Sequence, residues 1–534
     1  MITNIRMLIL LLAVLAAAAI ISNRLKTPSA ILLVLIGLLL SLAPGLPPIE
    51  LTPEFVLLIV LPPVIYSSAF NMSWREFRFN LRPITLLSVG GVLFTTLAVG
   101  AAAHWLMGVG WPVGLLLGAI VSPPDAVAPL AVARRMELPR RILVILEGEG
   151  LANDATALIL YRFAVAAVSV GAFSLGEAAG AFAAIVAGEI VWGVGVGWLM
   201  LRVRRWAKEP LVEIVLSILT PFFAFWPPAQ LGGSGVLATV AAGLYTSWNG
   251  PRLISAATRL QGVFFWEFFV YVIEGLVFLV TGLQARTLAN RISEFPLSQL
   301  AASIAVITAV AILARFLWVF PGVYLPRWLF ASVRRRDPSP PWQWAFMISF
   351  TGVRGIVSLA AALAIPLTTA AGQPFPYRDL ILLLTFSLIL VTLVGQGLML
   401  PWIIGRLGLA HAGRKEREVD GAEEHWARAE AVKAAVAALD LLASERDLSP
   451  DRLKVLRILH RDRLERIEGR DDDDEAVGRA AEFHDELDRL LIAAERARII
   501  DLYRSGELGD EARRRIEREL DMREAYLSGA NPRR

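Results

Sequence analysis

Thirteen apolar stretches of about the length that a bilayer requires precede residue 410. Lipid offers the backbone no hydrogen-bond partner, so each stretch that crosses it is expected to be an α-helix. The sequence therefore predicts an all-α, polytopic membrane protein. The first stretch also fits a cleaved secretory signal, although a second one follows within a few residues. The predicted spans are 5–22, 29–43, 53–70, 83–107, 111–131, 142–170, 177–201, 210–228, 233–248, 262–284, 297–321, 342–366 and 379–404.

The distribution of charge divides the chain near residue 410. Residues 1–410 contain 27 basic and 17 acidic side chains, whereas residues 411–534 contain 25 and 31. In the second part, charged residues alternate with apolar positions such as Val432 and Leu439, a pattern typical of soluble amphipathic helices. We predict a transmembrane domain over 1–410 and a charged, helical tail over 411–534.

Basic residues indicate the orientation of the predicted spans. If the amino terminus is outside, the loops on the inner side carry 20 arginines and lysines. Cytoplasmic loops are enriched in these residues, so we predict a multi-pass membrane protein with an external amino terminus and a cytoplasmic carboxyl-terminal tail. The four basic residues then predicted to be outside are Arg6, Arg286, Arg291 and Arg378.

Composition excludes several other classes of protein. The chain has no cysteine and only five histidines, which excludes a disulfide framework and leaves little material for a transition-metal site. Its basic excess belongs to the membrane loops, so the lipid bilayer is expected as a partner and nucleic acid is not. We expect no cofactor and no enzymatic activity.

The fifth predicted span contains the segment Ser122–Asp125 and a further proline at position 129, three prolines within seven residues. Proline removes amide donors and releases carbonyls, which the bilayer tolerates only where they line a cavity or bind a cation. A kinked helix whose Asp125 merely caps the following half is the alternative. We predict an interrupted helix with Ser122 and Asp125 at the break.

The sixth span carries the acidic residues Glu147, Glu149 and Asp154 together with Asn153. Ionisable residues inside a membrane usually mark an ion path, and hard cations such as sodium prefer oxygen ligands. The sixth span is an intact helix that presents these oxygens to the interrupted fifth span. This arrangement predicts a sodium site at Asp154 and Asp125. A purely structural polar network is the alternative.

The twelfth span is predicted to be interrupted as well, because glycines flank Arg354 in the segment Thr351–Gly355. The fifth and twelfth spans cross in opposite directions, and opposed broken helices indicate inverted repeats with a binding site near the midplane. Arg315 in the eleventh span requires a carboxylate partner, because arginine keeps its charge. Glu274 in the tenth span and Thr351 are secondary site candidates.

Four segments resemble the monovalent cation:proton antiporter family, which includes bacterial sodium/proton antiporters and animal sodium/proton exchangers. They are Leu61–Met72, Ser122–Val127, Glu149–Ala155 and Gly352–Leu359. The resemblance covers about residues 1 to 405. It implies a homodimer with a dimerisation domain and a mobile core domain.

The resemblance also implies roles for individual residues. The ion-site pair of the family matches Asn153 and Asp154, and its aspartate at the unwound helix matches Asp125. Its acid five residues before the ion-binding aspartate matches Glu149, which is paired in the family with an arginine that matches Arg315. The Gly-x-Arg-Gly motif of the family matches Arg354.

The chain departs from the family pattern at three places. Tyr66–Ser68 stands where many members have an acid after the Leu-Pro-Pro motif of the third span. Pro124 replaces a hydroxyl-bearing residue, and Gly150 replaces a common serine. Two oxygen ligands are therefore missing relative to the family.

These observations predict that the domain over 1–410 is a transmembrane cation/proton exchanger, a secondary antiporter that exchanges sodium, or lithium, for protons across the bacterial inner (plasma) membrane. The tail over 411–534 is predicted to be cytoplasmic and regulatory. Asn153 does not titrate and Arg315 keeps its charge, so we expect electroneutral, one-for-one exchange that serves pH and sodium homeostasis. A potassium/proton antiporter on the same scaffold is the alternative, and a gated cation channel is a more distant one.

Overall fold

The structure of the protein is a computed structural model. The structure describes residues 2–25, 27–43, 51–170, 175–207, 209–292, 296–445, 450–468 and 490–502, with residues 505, 513, 516–517 and 519–524. Its contacts divide the chain into two units, Met1–Arg414 and Lys415–Arg534.

Most described residues of the first unit are helical, as the apolar stretches predict. Three π-helical segments, Phe55–Val60, Leu86–Gly91 and Val391–Gln396, continue directly into neighbouring α-helices. The α-helices of this unit are α1 Ile2–Leu25, α2 Ser29–Ser41, α3 Leu61–Asn71, α4 Trp74–Phe79, α5 Leu81–Thr85, α6 Val92–Met107, α7 Trp111–Val121, α8 Val127–Arg135, α9 Arg140–Val170, α10 Leu175–Ala207, α11 Pro210–Gln230, α12 Val236–Leu253, α13 Ala256–Ile292, α14 Leu297–Leu329, α15 Ala331–Arg336, α16 Trp342–Phe350, α17 Ile356–Leu363, α18 Arg378–Leu390 and α19 Gly397–Leu407.

The all-α membrane fold is confirmed for the described residues. Eight helical stretches among them are long and apolar enough to cross a membrane, and three shorter apolar helices accompany them. The count of thirteen spans therefore stays a prediction.

Both predicted helix interruptions are present. The fifth span is divided into α7 and α8 by residues 122–126, and the twelfth into α16 and α17 by residues 351–355. Prolines 123 and 124 lack the amides that would continue α7, and glycines 352 and 355 relieve the steric limits on the second break.

The helices of the first unit pack as two groups. The first bundle comprises α1–α3 and α10–α13, in which α2 packs on α13 and α12 packs on α3 and α10. The second bundle comprises α4–α9 and α14–α19, in which α7 packs on α6 and α9, and α14 on α6 and α16. Both interrupted helices therefore belong to the second bundle, while α9 and α17 also contact helices of the first.

A buried carboxylate of the first bundle caps the N-terminus of α12. Glu189 of α10 accepts hydrogen bonds from the Ser234, Gly235 and Leu237 amides at 2.5, 2.9 and 3.0 Å, and from the Ser234 hydroxyl at 3.0 Å. The first amides of a helix have no partner within it, and a negative charge at this end is stabilising. Glu189 thus has the structural role of a helix cap.

The second unit contains most of α20, Leu409–Glu445, and all of α21, Pro450–Glu468. Val432 is buried, and Arg457 of α21 forms an ion pair with Asp440 of α20 at 2.7 Å. The domain boundary expected at residue 410 stays a prediction. The acidic run Asp471–Asp474, which the sequence suggests is a solvated loop, lies outside the described residues.

Glu189→Gln is expected to destabilise the first bundle. The side-chain NH2 of glutamine is a donor, and it would replace a carboxylate oxygen that accepts hydrogen bonds from backbone N–H groups. An unsatisfied buried group costs roughly 1–3 kcal/mol, so the midpoint of thermal unfolding in detergent should fall. Glu267→Gln, at an exposed position of α13, is the control and should leave the midpoint near that of the parent. Equal midpoints for both variants would contradict the capping role.

Candidate functional site

The breaks of the two interrupted helices contact each other directly. The Asp125 amide donates to the Val353 carbonyl at 2.6 Å. A Cβ atom at Gly355 would lie only 1.6 Å from Oδ2 of Asp125, so this close approach requires glycine. The two unwound segments therefore form one crossing inside the second bundle.

Asp125 lies where α8 and α17 both begin. Its Oδ1 accepts a hydrogen bond from the Val127 amide at 2.9 Å, and the Ile356 amide also donates to this side chain. Helix N-termini carry a partial positive charge and unpaired amides. One carboxylate therefore compensates two helix ends that the membrane cannot solvate.

Arg354 compensates the opposite kind of helix end. The side chain is 1% exposed, and its Nε donates to the carbonyl of Val121, the last residue of α7, at 2.9 Å. Its other nitrogens donate to the carbonyls of Gly352 and Ala311, and its backbone amide donates to Oγ1 of Thr392 at 3.1 Å. The guanidinium thus supplies positive charge to a helix C-terminus.

Arg315 and Glu149 form a buried, bidentate ion pair. The two guanidinium nitrogens of Arg315 lie 2.5 and 2.7 Å from the two carboxylate oxygens of Glu149. Nε of Arg315 also donates to the Ile348 carbonyl in the last turn of α16 at 3.0 Å. The pair therefore joins α9, α14 and the first half of the second broken helix.

Asn153 and Asp154 present oxygen atoms to the crossing. Nδ2 of Asn153 donates to the Pro124 carbonyl at 2.6 Å, which leaves its buried Oδ1 without a hydrogen-bond partner. Among the described residues, no hydrogen bond reaches the half-buried carboxylate of Asp154. Asp154 and Glu274 both interact electrostatically with Asp125. Asp125 thus has two carboxylates within electrostatic range, and a free amide oxygen lies beside its break.

Other candidate residues are engaged elsewhere. The Ser122 hydroxyl donates to the Ala119 carbonyl at 3.2 Å, and the Thr351 hydroxyl lies 3.1 Å from two carbonyls of α16. Glu147 lies two turns before Asp154 in α9, a spacing that places both on one helix face, but it pairs with Arg134 at 2.5 Å. Across the described part of the chain, no three His, Cys, Asp or Glu side chains are grouped to hold a metal ion.

The sequence indicated Gly355 only as part of the helix break, and it indicated no role for Thr392. Gly355 admits the Asp125 carboxylate, and Thr392 accepts a hydrogen bond from the Arg354 amide. A glycine in an interrupted helix indicates that another group can approach the backbone closely at that position. Thr392 is a single hydroxyl in an apolar span, which gave no comparable signal.

Two departures from the family pattern have a packing explanation. Tyr66 is buried in the first bundle, where its ring lies 5.4 Å from that of Trp266 and its hydroxyl accepts from Arg204 at 3.5 Å. A Cβ at Gly150 would lie 3.0 Å from the Cβ of Ala126. The absence of a side chain at Gly150 therefore lets α9 approach the first break closely.

The fold and this crossing define a membrane transporter with a polar site between broken helices. The family described as "Sodium/hydrogen exchanger, transmembrane" matches residues 9–406, and the chain belongs to this family. Its members are transporters, and the chain is accordingly not an enzyme.

Individual relatives agree with this assignment. The chain is 34% identical over 528 residues to an uncharacterized Na(+)/H(+) exchanger of Mycobacterium tuberculosis, covering 97% of this chain and 95% of that protein. It is also 34% identical over 386 residues to the sodium, potassium, lithium and rubidium/H(+) antiporter of Bacillus subtilis, covering 70% and 57%.

A solved structure has a similar fold. The sodium proton antiporter MjNhaP1 from Methanocaldococcus jannaschii matches with a TM-score of 0.61 at 20% identity, over 76% of this chain and 99% of that one. This similarity concerns the fold alone.

Glu149→Gln is expected to destabilise the protein by roughly 3–5 kcal/mol, because it leaves the buried charge of Arg315 without its partner. The double variant Glu149→Gln, Arg315→Met should be less destabilised than the sum of the two single variants, since it removes both charges. Thermal unfolding of the purified variants measures this coupling. Additive losses of stability in the two single variants would contradict the coupling. Glu147→Gln, which removes a partly exposed ion pair on the same helix, is the control.

Proposed function

We propose that the protein exchanges sodium, or lithium in its place, for protons at a single site centred on Asp154. The observation that carries the proposal is its carboxylate, which has no hydrogen-bond partner among the described residues although it lies beside the crossing of the two breaks. The free Oδ1 of Asn153 is a second oxygen ligand, and Asp125 adds a neighbouring negative charge. Oxygen ligands of this kind suit a hard monovalent cation.

The exchange follows from competition at this carboxylate. Asp154 binds either a partly dehydrated sodium ion or a proton. With neither bound, the negative charge of its carboxylate makes transfer through a low-dielectric environment costly. We propose that the second bundle, which contains the site, moves against the first only when the site is neutralised. Ser122 is proposed as a further residue of the ion-binding site, and Thr351 and Glu274 as secondary contributors.

The stoichiometry is proposed to be one for one. Asn153 has no titrating group, and Arg315 is held by Glu149, so neither provides a second proton carrier. Exchange would then be electroneutral. Its rate should not change when a membrane potential is imposed on proteoliposomes.

The cellular setting is proposed from the charge of the loops and from the family. The protein would lie in the plasma membrane with its amino terminus outside and its tail in the cytoplasm, where it serves pH and sodium homeostasis. The first bundle would provide the interface of a homodimer. Sodium and protons are substrates, and no resident cofactor is required.

Asp154→Asn is expected to abolish cation-dependent proton movement, because it removes the ion-binding charge at nearly constant volume. Asp125→Asn should abolish or severely reduce it. Dequenching of a pH-sensitive dye in everted vesicles, on adding sodium, lithium or potassium separately, measures the exchange. Glu147→Gln removes a carboxylate two turns away on the same helix and should retain it.

Two outcomes would contradict this assignment. Exchange at the parental rate in Asp154→Asn would exclude that carboxylate as the ion site. A larger dequenching response to potassium than to sodium would favour the potassium/proton alternative. The name of the Bacillus subtilis relative includes potassium among its cations.

Truncation after residue 415 is expected to preserve exchange, because every intramembrane charge at the crossing precedes residue 405. The tail is proposed to regulate transport, so the pH profile or dimer stability should change instead. Exchange against pH, measured for reconstituted full-length and truncated proteins at matched insertion, tests this. Complete loss of exchange in an inserted, dimeric truncation would show that the tail belongs to the transport machinery.

A further inference from the structure

A narrow apolar cleft lies in the second bundle, away from the crossing of the two breaks. It is bounded by α5, α9, α14 and α16, and its wall includes Val319, Trp318 and Trp344. Trp318 is fixed in place by a hydrogen bond from its indole nitrogen to the Leu86 carbonyl at 2.8 Å. The apolar wall of this cleft suits hydrocarbon and offers little to a free ion.

Three arginines among the residues lining this cleft share one acid. Asp337 is contacted by Arg327 at 2.5 Å, by Arg141 at 2.7 Å and by Arg82 at 3.9 Å. Three guanidinium charges against one carboxylate leave an excess of two positive charges. This excess attracts an anion.

The three arginines are engaged to different extents. Arg327 is 6% exposed and uses its nitrogens on Asp337 and on the Val323 carbonyl. Arg141 donates to Asn80 at 3.1 Å and to Asp337. Arg82 is 34% exposed and reaches Asp337 only at the limit of an ion pair. Arg82 is therefore the guanidinium best able to bind a ligand.

The cluster is predicted to lie at the cytoplasmic leaflet of the membrane. Its arginines belong to the connections before the fourth and sixth spans and after the eleventh, which the distribution of basic residues predicts to be cytoplasmic. Anionic lipids give this leaflet a negative surface potential that attracts basic side chains near the membrane. A lipid combines a charged phosphate with a hydrocarbon chain, as this cleft combines arginines with an apolar wall.

We propose that the cleft binds one anionic phospholipid. Its phosphate is held by Arg82 with support from Arg141, and an acyl chain lies along Val319, Trp318 and Trp344. The lipid would contact α14, the helix that contains Arg315, without touching the ion site. The inference is independent of which cation the protein transports.

The test is native mass spectrometry of the purified full-length protein, titrated with phosphatidylglycerol in detergent. Arg82→Gln should weaken binding of the first lipid by about fivefold, the effect of one basic residue near a membrane surface. Arg78→Gln removes the same charge from the same connection at an exposed position and should leave this binding unchanged. Equal weakening in both variants would overturn the proposal, because it would indicate diffuse surface attraction.

Two further ligands distinguish binding of an anionic lipid from binding of a zwitterionic lipid or a free anion. Phosphatidylcholine with the same acyl chains should bind more weakly than phosphatidylglycerol, because its choline cation offsets the charge of its phosphate. Inorganic phosphate should not displace phosphatidylglycerol. Displacement by phosphate, or equal affinity for both lipids, would overturn the proposal.

A second variant tests the apolar part of the site. Gly322 of α14 lines the cleft, and a Cβ there would meet no atom within 4 Å. Gly322→Phe should fill the cleft and abolish binding of the first phosphatidylglycerol, whereas Gly405→Phe, at another position open to a Cβ, should not. Retained binding in a folded Gly322→Phe would overturn the proposal. If that variant does not fold, the comparison of Arg82→Gln with Arg78→Gln decides.

Discussion

Four helix ends inside the membrane need partners, and the second bundle is organised around supplying them. Asp125 accepts hydrogen bonds at the N-termini of α8 and α17, while Arg354 and Arg315 donate at the C-terminal ends of α7 and α16. Water would satisfy these groups in a soluble protein, but lipid does not. The charges that stabilise the two breaks therefore also set the electrostatic environment of the candidate ion site.

This arrangement divides the polar residues by task. Glu149 is occupied by Arg315, so their charges cancel within the fold. Asp154 and Asn153 belong to the unbroken helix α9, which has no end at the crossing. Their remaining oxygens are not required to compensate a helix terminus. A carboxylate without a structural partner is the group best suited to exchange one cation for another.

The departures from the family pattern follow the same logic. Pro124 offers no hydroxyl, but its carbonyl accepts from the Asn153 side chain and orients the free Oδ1 of that amide. Tyr66 replaces a commonly acidic position with an aromatic ring that packs on Trp266 and a hydroxyl that accepts from the buried Arg204. The first bundle thus retains a polar centre without a carboxylate at this position.

The sequence by itself determined the helical membrane fold and the two breaks, because hydrocarbon permits only hydrogen-bonded helices and because proline and glycine interrupt them locally. It also indicated that Arg315 needs an acid. Only the tertiary structure decided which residues meet. The approach of Gly355 to Asp125, the engagement of Thr392 by the Arg354 amide and the capping of α12 by Glu189 join segments far apart in the chain. Glu147 and Asp154 share a helix face in the sequence, yet the packing of neighbouring helices directs one to Arg134 and the other to the crossing. Helical periodicity fixes the direction of a side chain, whereas its partner depends on which helix packs against that face.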